Sequence, residues 1–98
     1  MGRYRKKPVV VEAIQWPAVA DGVPPEVEEF LEQHAPPSHA KSTALYKIDA
    51  VGELWIYVVK SETFCHVEHG GWIIAEPDGR GVYPCTAVDF VTTYEPAD

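Results

Sequence analysis

Short apolar and aromatic runs separated by tight turns fill the second half of this chain and set the strongest limit on its fold. The runs Leu54 to Val59, Thr63 to Glu68 and Trp72 to Ala75 follow one another after only a few residues. A parallel connection between strands needs a dozen or more residues, whereas an antiparallel hairpin needs as few as two. The close spacing therefore predicts antiparallel pairing throughout this region.

Glycine and proline mark the ends of the predicted strands. Gly70-Gly71 forms one predicted turn, and the stretch Glu76 to Arg80 contains an Asp-Gly pair that favours a hairpin loop. Near the start of the chain, the β-branched run Val9 to Trp16 predicts a strand that Pro17 ends. Ala44 to Ile48 is a further short strand candidate.

One segment has a clear helical pattern. Within Pro24 to Ala35, the residues Val27, Phe30 and Leu31 fall at positions i, i+3 and i+4 and form a single apolar stripe. Proline stands at the start of this segment and glutamates crowd its first turn, where the helix dipole favours negative charge. The pattern predicts one amphipathic helix.

The C-terminal region completes the predicted fold. Thr86 to Phe90 is expected to form one helical turn, with Thr86 as the N-cap and Asp89 at capping-box spacing. Val91 to Tyr94 is expected to be a last short strand. The whole pattern predicts an α+β fold, in which a curved antiparallel sheet or half-open barrel of about five to six short strands carries one amphipathic helix.

The chain has an uneven charge distribution. Its 98 residues predict a single small domain over 1–98 with a short basic arm over residues 1–7. Four of the eight basic residues lie in that arm, and from residue 8 onward four basic and 15 acidic residues give a net charge of −11. An acidic body disfavours a general nucleic-acid platform, which would be strongly basic. Nucleic acid is therefore expected at most at the arm.

The composition also bears on location. No run of about 20 apolar residues is present, so no transmembrane helix and no membrane partner are predicted. The first residues lack the apolar core and cleavage site of a secretory signal. Two cysteines are too few for a disulfide framework, which predicts a cytoplasmic location with reduced thiols.

The candidate ligand-binding residues are a cationic group and an aromatic group. Arginine and lysine side chains in the arm can hold an anionic group through charge-assisted hydrogen bonds, and aromatic rings can stack a base. The alternatives are a solvated arm and, for all the candidate rings, packing in the core or on a sheet face; Trp55, Tyr46 and Tyr57 belong to the same group of rings. The residues selected are Arg5, Lys6, Lys7, Trp16, Trp72 and Tyr83.

Cysteine and histidine residues invite a comparison with zinc sites. Cys65 and His69 would share one face of a strand while His66 points to the other, and Cys85 would be a cross-strand neighbour of the first face. No C-x-x-C motif is present, and buried thiols more often pack as small hydrophobic groups. We therefore expect no metal, no cofactor and no catalytic residue. A small enzyme or metal-binding protein that uses Cys65, His69 and Cys85 remains an alternative.

Both ends of the chain resemble a family of small, uncharacterised bacteriophage and prophage proteins. The resemblance lies in Tyr4 to Trp16, which reads YRKKPVVVEAIQW, and in the C-terminal pattern of GWII, VYPC, Phe90 and Thr93-Tyr94-Glu95. Family members typically carry Pro-Gly-Asp before this tryptophan or tyrosine, whereas this chain has His69-Gly70-Gly71. The region Ala18 to Glu62 matches mainly in pattern.

The resemblance implies a small accessory protein that acts in the cytoplasm of a bacterial host, and it supplies no catalytic residues. Together with the residues above, it favours a non-enzymatic binding module for a host protein or a small anionic ligand. The alternative is a structural homo-oligomeric phage protein, in which sheet edges or an aromatic face pair with a second copy.

Overall fold

A computed structural model describes residues 2–3, 10–17, 22–36 and 44–95. Within these ranges the chain forms six strands and two helices. In chain order they are β1 (Ala13–Gln15), α1 (Pro25–Gln33), β2 (Tyr46–Ile48), β3 (Leu54–Val58), β4 (Thr63–Val67), β5 (Trp72–Ala75), β6 (Val82–Cys85) and α2 (Ala87–Thr93).

The strands form two antiparallel sheets of three strands each. The first sheet has the order β1-β5-β6 and the second has the order β2-β3-β4. In the second sheet, Lys47 lies opposite Trp55, which in turn lies opposite His66. The prediction of an α+β fold with antiparallel pairing is confirmed. The described strands divide into two sheets and form no closed barrel, and α2 adds a second helix.

The core lies between the sheets and α1. Alternate residues of β3, namely Leu54, Ile56 and Val58, point inward and are buried, because side chains of a strand alternate between its two faces. Val27 and Leu31 of α1 join the same cluster, as the helical spacing predicts. The cluster is completed by Trp16, Val67, Ile73 and Val82.

Helix α1 matches its prediction to within one or two residues at each end, a difference typical of helix boundaries. Pro24 precedes it in extended conformation, and Glu26 and Glu28 lie in the first turn. Tyr46 Oη on β2 donates a hydrogen bond to Glu28 Oε2 at 3.1 Å. Burial and this carboxylate both raise the pKa of Tyr46. The contact links the helix to the edge of the second sheet.

The N-terminal cap of α2 is confirmed. Thr86 adopts extended backbone geometry, and its Oγ1 accepts a hydrogen bond from Asp89 N at 3.1 Å. The prediction of a last strand over Val91 to Tyr94 is wrong, because α2 continues to Thr93.

Ring contacts with the first sheet explain the longer helix. Phe90 stacks on Trp72 of β5, with ring centroids 4.0 Å apart and planes 7° from parallel. One helical turn later, Tyr94 Oη lies 2.9 Å from Tyr83 Oη of β6. Residues spaced by four lie on the same side of a helix and close together, so the helix places both rings against the first sheet.

A single lysine links the turn between β3 and β4 to the hairpin loop between β5 and β6. Lys60 Nζ lies 2.5 Å from Glu76 Oε2 and 3.0 Å from Asp78 Oδ2. These carboxylates raise the pKa of Lys60, and the lysine lowers the pKa of Asp78. The predicted hairpin loop is present, since Glu76 N donates to Gly81 O at 2.8 Å. The lysine thus joins one end of each sheet.

Neither helix in the described ranges is long and apolar enough to span a bilayer.

Replacing Phe90 by alanine is expected to lower the free energy of unfolding by about 2 kcal/mol, because the half-buried ring loses its stack on Trp72. Urea denaturation followed by circular dichroism measures this change. Val91 is 73 % exposed on the same helix, and Val91→Ala should change stability by less than about 0.5 kcal/mol. Equal effects of the two substitutions would contradict the account of α2.

Candidate functional site

The residues selected from the sequence lie in three different settings. Arg5, Lys6 and Lys7 lie outside the described residues. Trp16 lies in the core, where its side chain is 1 % exposed. Trp72 and Tyr83 are half-buried on the outward face of the first sheet. The structure therefore places Trp72 and Tyr83 on one face of the first sheet, whereas the ring of Trp16 lies in the core.

Trp16 holds β1 against the glycine turn that precedes β5. Its backbone N–H donates to Gly71 O and its carbonyl accepts from Gly70 N, both at 2.8 Å. Its indole Nε1 is buried and has no hydrogen-bond partner among the described residues. Trp16 thus has a clear packing role, and its contact with a ligand stays a prediction.

Helix α2 covers Trp72 and Tyr83. The stack with Phe90 occupies one face of the Trp72 indole, and the Tyr83 hydroxyl is paired with that of Tyr94. Burial, followed by the Tyr94 hydroxyl, raises the pKa of Tyr83, so this phenol stays neutral. The rings are already engaged within the chain, and their role in ligand binding also stays a prediction.

The cysteine and histidine residues do not form the arrangement that the strand pattern suggested. Cys65 lies opposite Ile56 and packs against the core side of the second sheet. His69 follows the end of β4 and therefore shares no strand face with Cys65. Across the described ranges, no group of three or more His, Cys, Asp or Glu side chains is arranged to hold a metal ion.

Cys85 is a weak candidate for a nucleophile. It lines an open cleft of about 150 Å³ with His66, Glu68, Pro84 and Thr86. Burial raises the pKa of the Cys85 thiol, and the nearby carboxylates of Asp89 and Glu68 raise it further. Because the thiolate is the reactive form, these surroundings keep the thiol protonated and disfavour nucleophilic attack.

The outward face of the second sheet carries the most distinctive group of side chains. It consists of two cross-strand rows, in which Lys47, Trp55 and His66 form the first and Tyr57 and Phe64 form the second. We call these five residues the aromatic face. Their outward position follows from β3, since the residues between them face the core. The rings are half-exposed or exposed, although hydrophobic burial would favour covering them.

The rings of the aromatic face contact one another across the strands. Trp55 and His66 have ring centroids 5.3 Å apart, and Tyr57 meets Phe64 edge-to-face at 5.4 Å. Lys47 Nζ lies 4.8 Å from the ring centroid of Phe64 and 5.8 Å from that of Trp55. These separations lie within the range of cation–π attraction. The face is therefore a continuous aromatic surface that holds a positive charge.

Two carboxylates border one end of the aromatic face. Asp49 Oδ2 accepts from Trp55 Nε1 at 2.9 Å, and its Oδ1 accepts from the backbone N–H groups of Val51 and Glu53. These hydrogen bonds, the one from Trp55 first, lower the pKa of Asp49. The side chain thus stays ionised, shapes the turn between β2 and β3, and fixes the edge of the Trp55 indole.

Glu53 lies between two histidines at the same end. Its Oε2 is 2.9 Å from His66 Nε2 and 3.6 Å from His69 Nε2. His69 Nδ1 is 3.2 Å from Pro17 O, and because a carbonyl only accepts, this nitrogen carries the hydrogen. Glu53 therefore anchors the histidine end of the aromatic face to the chain around Trp16.

Comparison of the chain with protein-family models, with curated proteins and with solved structures finds no match. The resemblance to phage and prophage proteins therefore stays a prediction.

Sequence reasoning considered Trp55 and Tyr57 as aromatic residues in general, but it missed their partners. Lys47, Phe64 and His66 belong to the aromatic face only because of the strand register. The available signal was the alternation in β3 and β4, where aromatic residues or histidine occupy every second position. Pairing these alternations at the correct register would have revealed the face.

Asp49 is expected to make stability depend on pH in acid. Because its pKa is lower in the folded protein than in the unfolded chain, its contribution is complete above about pH 4 and is lost as the pH falls through the folded value. When the pH falls from about 5 to about 3, Asp49→Asn should therefore lose less stability than the wild type does. Urea denaturation at both pH values measures the difference, and equal losses in the two proteins would contradict it.

Proposed function

We propose that this protein is a non-enzymatic binding module that engages a partner protein through the aromatic face. One observation carries the proposal. Trp55 and Phe64 remain accessible on the outward side of a sheet whose central strand, β3, is buried on its inward side. Aromatic residues are enriched at protein interfaces, where they contribute much of the binding energy.

The geometry of the face supports a protein partner better than a small molecule. The face extends over three strands, and its rings meet at angles of 58° and 73° instead of forming a slot. Small ligands usually bind in concave sites that enclose most of their surface. A surface of this shape suits a segment of a folded or extended protein.

The charge around the face bears on the anionic-ligand alternative. Lys47 is the cation of the aromatic face, and it is accompanied by the carboxylates of Asp49 and Glu53. A small anionic ligand at this face would meet repulsion from both carboxylates. The alternative in which Arg5, Lys6 and Lys7 bind such a ligand rests on the sequence alone.

The resemblance to phage and prophage proteins supports a cellular setting for this proposal. An accessory protein of a phage or prophage would act in the host bacterial cytoplasm, and a host protein would then be the partner. The raised pKa of Cys85 supports the non-enzymatic part of the proposal, because it disfavours the thiol as a nucleophile.

One observation favours a second candidate, a structural homo-oligomer. Val88 and Val91 on α2 are 72 % and 73 % exposed, whereas the ring contacts of this helix use Phe90 and Tyr94. A second copy could cover these valines, since apolar side chains gain free energy when they leave water. Light scattering separates this candidate from the first, because a monomer at high concentration excludes it.

The double substitution Trp55→Ser with Phe64→Ser is expected to abolish partner binding. Interface aromatics of this kind commonly contribute enough that removing both weakens binding by at least about 100-fold. Immobilised protein would first capture host proteins from a bacterial lysate, and titration calorimetry with the purified captured protein would then give the affinities.

The matched control carries Val88→Ser and Val91→Ser, which remove exposed apolar side chains from the first sheet's helix. This control should bind as the wild type does. Circular dichroism and urea denaturation should show both variants folded. Phe64→Ala alone provides a second test, since it leaves the hydrogen bond from Trp55 Nε1 to Asp49 in place. Unchanged binding by the folded face variants would refute the proposal.

A further inference from the structure

Resting on the proposed function, we propose that the aromatic face binds an arginine- or lysine-bearing segment of its partner. The partner's cation would lie over the rings of Trp55 and Phe64 in place of Lys47, and it would pair with the carboxylates of Asp49 and Glu53. Three independent features support this assignment, namely the ring geometry, the bordering carboxylates and the charge of the chain.

The rings already hold a cation within the chain. Lys47 Nζ lies 4.8 Å from the Phe64 centroid and 5.8 Å from the Trp55 centroid, close to the separations of favourable cation–π pairs. Lys47 is an exposed residue at the edge strand of its sheet, so its flexible side chain can move aside. A guanidinium group stacks on aromatic rings better than an ammonium does, which favours arginine as the incoming cation.

The bordering carboxylates supply the counter-charge. The Glu53 side chain is 33 % exposed, and its contacts with His66 and His69 both use Oε2. Asp49 stays ionised and is fixed to Trp55 by the indole N–H. A guanidinium stacked beside Trp55 would therefore find the Glu53 carboxylate at the same end of the face, as an acceptor for a charge-assisted hydrogen bond.

The charge of the whole chain acts in the same direction. The net charge is −7, and beyond residue 7 it is −11. A field of this sign accelerates the approach of a cationic segment and opposes a polyanion such as single-stranded nucleic acid. Exposed aromatic rings alone would suit either partner, so charge complementarity decides between them.

The experiment uses the full chain and two synthetic peptides of equal length, which differ only in carrying arginine or the neutral isostere citrulline at the same positions. Titration calorimetry at low salt should show that the arginine peptide binds at least about tenfold more tightly than the citrulline peptide. Raising the salt concentration should weaken the arginine peptide alone, because screening acts on its charge.

Three variants locate the binding. Phe64→Ala and Glu53→Gln should each weaken the arginine peptide by about tenfold or less, in keeping with single cation–π and ionic contacts. Lys47→Ala should leave the affinity unchanged or increase it, because Lys47 competes for the same rings. If the partner were anionic, Lys47→Ala would instead lower the affinity. Val10 is 77 % exposed and has no part in the aromatic face, so Val10→Ser serves as the control and should have no effect.

The following outcomes would overturn the inference. Equal binding of both peptides, loss of binding in Lys47→Ala, or preferential binding of a single-stranded oligonucleotide would exclude a cationic occupant. Concentration-dependent dimers in light scattering that Phe64→Ala dissociates would assign the face to a second copy. If a captured host protein needs Trp55 and Phe64 while the arginine peptide does not bind, this inference fails and the proposed function stands.

Discussion

The burial of β3 is the constraint on which the rest of the structure depends. Leu54, Ile56 and Val58 are buried together on one face of β3. Because strand pairing aligns the faces of neighbouring strands, this burial determines which side chains of the second sheet face outward. A shift of one residue would place Trp55 and Tyr57 in the core and expose three aliphatic side chains. The aromatic face is thus a consequence of packing on the other side of the same strand.

Much of the fold could be predicted from the sequence because its signals are local. The turn glycines, the stripe of Val27, Phe30 and Leu31, and the cap at Thr86 each act over a few residues. The end of α2 could not be predicted in this way, since Trp72 and Phe90 are 18 positions apart and their stack decides the conformation. A short segment rich in β-branched residues favours a strand until a tertiary contact overrides that preference.

The candidate site was harder to predict than the fold. Trp16 was a candidate both for ligand contact and for the core, and its burial in the structure places it in the core. Lys47 and Phe64 carry no motif, and they become neighbours through the pairing of β2 and β4 with the same central strand. A search for residues at fixed spacings cannot find side chains that only the strand register brings together. The basic arm was easy to recognise because its four charges lie within the first seven residues.

The three tryptophans occupy three distinct environments, and this gives the molecule its own optical reporters. Trp16 is shielded from water and should emit at short wavelength, whereas Trp72 is stacked on Phe90 and reports on the docking of α2. Trp55 is half-exposed, donates to a carboxylate and lies beside a histidine ring, so its emission responds to whatever approaches the second sheet. Core, helix and outer surface can thus be followed separately by fluorescence in proteins that retain one tryptophan at a time.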